Sequence, residues 1–205
     1  MATNRLVPLA LCVTLLLWGC GDGDMSLTEY VERVNAMADR ASQQGEELFA
    51  EAAQITEFTP QHLQGGLERG LREIRVPLQE AADAIEPPEQ VASLHHLMWN
   101  WHAEFINIEE ALAARAGTAE DTAADWEALS ESPEMAAYRA AIAAGKQVCT
   151  DFQAELDATA ERGVFADTPW VPGELKEVVE AVLGCEWFPE HPEDVYRYPP
   201  STSTP

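Results

Sequence analysis

The chain has 205 residues, 46% of them apolar, which is enough for one domain with a substantial core. A formal net charge of −24, with only two lysines (Lys146 and Lys176), argues on electrostatic grounds against nucleic acid and strongly anionic lipid as partners. Alanine and glutamate dominate and β-branched runs are few, a composition that favours helices over strands.

Arg5 is the sole charge before Asp22, and Leu6 to Trp18 form an apolar run of thirteen residues. A bilayer span takes about 20 residues, so this run suits the apolar core of a secretory signal instead. It stops at Gly19-Cys20, and the polar stretch Gly21-Asp22-Gly23-Asp24 follows. Leu17, Gly19 and Cys20 resemble the signal of bacterial lipoproteins, although Trp18 stands where a small residue is usual. The resemblance covers only the first twenty residues. It implies that Cys20 is lipidated, becomes the first residue of the mature chain, and holds the body outside the cytoplasm at a membrane of the cell envelope. Removal of Arg5 with the signal makes the mature charge −25.

Helix-forming segments follow in order. The first runs from about Leu27 to Ala53, with Ser26 and Glu29 as a capping box. Its seam is Leu27, Val31, Val34, Ala38, Ala41, Gly45, Leu48, Ala52 and Ile55, widened by Tyr30, Met37 and Phe49. Thr59 and Pro60 open the second, whose seam is Leu63, Leu67, Leu71, Ile74, Leu78, Ala81 and Ile85. Pro77 lies inside it and predicts a kink between Glu73 and Pro77. Gly65, Gly66 and Gly70 weaken this helix and would allow a neighbour close approach. The third, from Pro88 or Glu89 to about Arg115, carries the bulkiest seam: Val91, Leu94, Met98, Trp101, Phe105, Ile108 and Leu112.

A short helix at Ala123–Leu129 precedes Ser132-Pro133-Glu134, a clear start signal. The fourth long helix then runs to Arg162-Gly163 and places Cys149 on its apolar face. A short helix at Gly173–Leu183 follows, and a proline-rich tail ends the chain. The tail aromatics Trp187, Phe188, Tyr196 and Tyr198 either strap across the bundle or meet a partner as an extended segment. A strap is the favoured reading, because Cys185 would pin its start. With Cys12 lost in the signal and Cys20 lipidated, Cys149 and Cys185 are left for one disulfide in an oxidising compartment.

The predicted fold is all-α: an antiparallel four-helix bundle with a short C-terminal helix and an extended tail. The predicted organisation is signal 1–19, tether 20–25, bundle 26–163, C-terminal helix and strap packed on the bundle 164–200, and a disordered tail 201–205. One constellation has the residue types for chemistry: His95, His102 and Glu109, spaced by seven along the third helix. Seven residues advance a helix by about 10.5 Å, too far for both histidines to share one ion at bonds of about 2 Å. A metal would need carboxylates from other helices, and Glu-x-x-His is absent from the chain. The competing reading makes these histidines hydrogen-bonded residues at a helix interface. Neither CxxC, CxxCH nor G-x-S-x-G occurs, so no redox dithiol, haem attachment or serine nucleophile is indicated and no cofactor is implied. The reading is a membrane-anchored extracytoplasmic binding or interaction module without enzymatic activity, suited to an envelope protein or a cationic partner. A metal-binding bundle is the alternative.

Overall fold

The computed structural model describes residues 25–55 and 58–196. Cys20, the rest of segment 1–24 and the terminal segment 197–205 lie outside the described residues, as do the side chains of Phe49 and Trp187. The architecture is mostly helical, with no strand among the described residues. In chain order the helices are α1 (Leu27–Ala52), α2 (Pro60–Gly70), α3 (Val76–Asp83), α4 (Ala92–Ala116), α5 (Ala123–Ser130), α6 (Pro133–Glu161) and α7 (Val171–Leu183). No helix among the described residues is long and apolar enough to cross a membrane.

The helix starts follow from capping chemistry. The hydroxyls of Thr59, Thr122 and Ser132 accept from the backbone N–H of His62, Asp125 and Met135 at 3.3, 3.1 and 3.2 Å. Ser26 accepts from the Glu29 N–H at 3.2 Å, and its hydroxyl in turn donates to the Glu29 carboxylate at 3.4 Å. The Ser26 backbone N–H of a full capping box is not the group that Glu29 meets.

The kink expected before Pro77 is a turn of π-helix, Leu71–Arg75, between α2 and α3. Pro77 has no N–H for the carbonyl of Glu73, and its ring crowds the preceding turn. The chain widens there, and the Val76 N–H reaches back to the Leu71 carbonyl. α7 begins at Val171, with Pro172 in its first turn, rather than at Gly173. The tail is not simply extended, because Cys185–Trp187 and Pro192–Asp194 are 3₁₀ turns.

α4 is the central element. Its Leu94, Met98, Trp101 and Phe105 lie in the main core with residues of α1, α3, α6 and α7. A smaller core of Leu63, Leu67, Leu112, Ala116, Leu129 and Met135 closes the other end. Contacts between neighbours fix the order of the helices. Between α4 and α6, Ser93 donates to Glu155 at 3.0 Å, Trp101 Nε1–H donates to the Ala141 carbonyl at 3.2 Å, and Phe105 stacks on Tyr138 at 5.5 Å. Tyr30 on α1 meets His95, near the start of α4. The main neighbour of α1 is α7, to which it is joined by a hydrogen bond from Asn35 to Glu174.

The segment after α7 is tied back to α6. Cys149 and Cys185 form a disulfide with Cα atoms 5.9 Å apart, within bridging range. Cys149 is half-buried rather than fully inside. Phe188 fills a notch at Gly145, where an added Cβ would come within 2.6 Å of both Phe188 and Trp101. Arg139 donates to the Val195 carbonyl and to the Ser130 carbonyl, each at 2.8 Å. Tyr196, at a left-handed φ of 52°, stacks on Phe58 at 5.7 Å.

Candidate functional site

α4 is buried on two faces. The seam Leu94, Met98, Trp101, Phe105 is one of them. The second carries His95, Trp99, His102, Ile106, Glu109 and Ala113, all buried. Their 4-and-3 spacing makes a continuous stripe facing α1 and the α2–α3 segment. A polar stripe of this kind inside a core demands partners.

His95 and His102 take theirs from different helices. The His95 Nδ1 and the Tyr30 hydroxyl are 3.2 Å apart, and the two rings meet edge to face at 5.8 Å. His102 Nδ1 lies 2.9 Å from Gln79 Oε1. The Gln79 amide nitrogen donates to the Asp83 carboxylate at 2.8 Å, which fixes the amide orientation. Oε1 therefore faces His102 and accepts, so the His102 proton sits on Nδ1 and Nε2 presents a lone pair. That Nε2, and the neighbouring Trp99 Nε1–H, are buried without a hydrogen-bond partner among the described residues. The two rings cross at 83° with centroids 5.5 Å apart.

Burial pushes the His95 pKa down to about 4, helped by the adjacent His96 and opposed by Asp83. Burial pushes His102 down to about 3, helped by the positive charge of Arg75. Both rings are neutral at pH 7.

Glu109 is buried further along the stripe and accepts from Arg75 Nε–H at 3.1 Å. Arg75 is the last residue of the π turn, and its guanidinium lies 5.1 Å from the Phe105 ring centroid. Burial raises the Glu109 carboxyl above its ordinary range, while the charge and hydrogen bond of Arg75 pull it back. Tyr138 and Tyr196 line the same region, and their phenols are raised chiefly by burial, with the Glu109 charge adding to it.

His95, His102 and Glu109 therefore share a stripe and do not converge: one faces α1, one faces α3, and one faces the π turn. No group of three or more His, Cys, Asp or Glu side chains suited to a metal ion occurs among the described residues. The arrangement joins helices through polar pairs and offers one unengaged acceptor, His102 Nε2. Periodicity did not single out Arg75 or Gln79, and Tyr196 stood out only as an aromatic of the tail. Arg75 lies one residue past the seam position Ile74, and only the π turn brings it to Glu109.

A surface groove of about 360 Å³ separates α1 from the kinked segment, lined by Met37, Ala41, Ile74, Pro77 and Leu78 with polar residues at its rim. A second, of about 280 Å³, lies between α1 and α7 and carries Asp39, Glu174 and Glu177. Neither is lined by the buried polar stripe. Compared with protein-family models, with curated proteins and with solved structures, the chain matches none.

Proposed function

We propose that this is a bacterial lipoprotein, anchored through Cys20 at the outer face of a membrane, whose body is a non-enzymatic binding or interaction module. The observation that carries the reading is Leu17, Gly19 and Cys20 at the end of an uncharged, thirteen-residue apolar run that Arg5 precedes. The disulfide between Cys149 and Cys185 is in keeping with an oxidising compartment. Two acyl chains give stable membrane attachment where one does not.

For the body, the reading is an antiparallel bundle of four rods, α1, α2–α3, α4 and α6, with α7 filling the side between α1 and α6. Supporting it, α4 meets α6 in reversed order through the pairs 93–155, 101–141 and 105–138. It meets the α2–α3 rod in reversed order through 102–79 and 109–75. A core joined by neutral histidines and one ion pair serves as a scaffold, and its surface is left to meet a partner.

The test is Cys20→Ser. Wild-type protein is expected in the membrane fraction, and the variant as retained precursor or released protein. Equal membrane association of mature wild type and variant would contradict the anchor. The metal-binding alternative has one observation in its favour, the unengaged Nε2 of His102. Stoichiometric metal in the purified protein, lost in His102→Ala, would favour it over the first reading.

A further inference from the structure

Only two large apolar side chains are markedly exposed among the described residues, Phe58 at 45% and Trp170 at 44%. Phe58 is not bare, since it packs against the rings of His62, Trp126 and Tyr196. Among the described residues, no aromatic ring packs on Trp170. It sits in the turn joining α6 to α7, next to exposed Pro169 and two residues before half-buried Pro172.

The turn holds Trp170 outward as a fixed feature. Ala166 N–H donates to the Gly163 carbonyl, Thr168 to Phe165, and Val171 to Thr168, at 3.1, 3.0 and 3.0 Å. Phe165 and Val171 are driven into the core on either side, at 4% and 0% exposure. Gly163, at φ 78°, starts the reversal in a conformation that strains other residues.

The position of this turn in the molecule gives it a partner. Ser93 near the start of α4 meets Glu155 near the end of α6, and His95 meets Tyr30 near the start of α1. The α6–α7 turn therefore lies at the end of the molecule where the chain enters α1. Four residues, Gly21 to Asp24, separate the lipid site at Cys20 from Met25. Fully extended, the five steps from Cys20 to Met25 reach at most about 18 Å. An apolar, proline-flanked indole at that end, on so short a tether, stands within reach of the lipid surface, where tryptophan's apolar ring and polar N–H fit the boundary between acyl chains and headgroups.

We infer that the Pro169-Trp170 corner is a membrane-docking point that inserts into the lipid surface and holds the anchored body against it. The inference rests on the lipoprotein reading for the source of the tether. Charge selects the lipid: Glu29, Glu32, Glu161 and Asp167 are exposed toward this end, against Arg33 and Arg162. The fitting surface is zwitterionic, because added anionic lipid repels such an end.

The experiment uses the full chain purified from bacterial membranes, its acyl mass at Cys20 read first, in phosphatidylcholine–phosphatidylethanolamine vesicles with brominated acyl chains. Tryptophan quenching is compared for wild type, Trp170→Phe and Trp126→Phe, the last as a control at the opposite end. Quenching is expected to fall at least about twofold in Trp170→Phe, to hold in Trp126→Phe, and to weaken when phosphatidylglycerol is added. Equal quenching in wild type and Trp170→Phe overturns the proposal. So does a Trp170 that is shielded from aqueous acrylamide yet not quenched by bromine, which would assign the corner to a protein partner. If the acyl mass is missing, the anchor reading fails by itself. The Cys20 thiol is then coupled to a maleimide lipid, and the same comparison decides the docking point.

Discussion

His102 engages its two ring nitrogens unequally, one on Gln79 and the other on nothing among the described residues. Its neutrality and that of His95 are conditions of folding. In the unfolded chain both imidazoles titrate near 6.5, whereas in the fold they titrate near 3 and 4. Between those values unfolding takes up protons, so stability is full above about pH 6.5 and declines as the pH falls toward 4. In urea titrations between pH 6.5 and 5 the unfolding free energy should decline by up to about 1.4 kcal/mol per pH unit for each histidine. His95→Gln should reduce the slope by about one proton. A flat profile would mean that these rings are not buried neutral.

Glu109 has the opposite sign. Its folded pKa is raised, so the stability it contributes is present at low pH and is lost as the pH rises past its ordinary 4.5. Arg75 limits that loss. Removing one partner of a buried ion pair costs about 3–5 kcal/mol, and the 28% exposure of the Arg75 side chain puts this pair near the lower end. Arg75→Ala should therefore destabilise by about 3 kcal/mol at pH 8 and by clearly less at pH 4, read by chemical denaturation at both values. Equal loss at both would place the role of Arg75 in its packing on Phe105 instead.

At the scale of elements, the strap is the part whose stability can be separated from the rest. The disulfide closes a span of 36 residues in sequence, for which chain entropy accounts for roughly 3–4 kcal/mol. Reduction should raise hydrogen exchange first after Gly163, in α7 and the segment carrying Phe188, and leave α4 and α6 protected. Uniform loss of protection would instead make α7 part of one cooperative unit with α4 and α6. Caps and prolines made the helix starts at Leu27, Pro60 and Pro133 legible in the sequence, because those signals act within one turn. The Pro77 kink was legible as a break, though not as a π turn. The second buried face of α4 was not legible. His95, His102 and Glu109 looked like the margin of a seam, and their partners Tyr30, Gln79 and Arg75 lie far away in sequence. The docking of α7 on α1 was equally hidden, since the amphipathic pattern Leu175, Val179, Val182 reports a buried face and not what covers it.

Across the whole molecule, carboxylates spread over every helix give a strongly negative net charge, which favours solubility and disfavours polyanionic partners. The core, by contrast, is joined by groups that are neutral or paired, so the charge stays outside it. Nothing in the helical body assigns its location; the proposed location rests on twenty N-terminal residues. The direct test is the intact mass of the protein extracted from a bacterial membrane. The account predicts a chain beginning at Cys20, carrying acyl chains on that residue and lacking two protons for the Cys149–Cys185 bridge. A mature chain that carries no acyl mass, whether it begins at Cys20 or elsewhere, would contradict it.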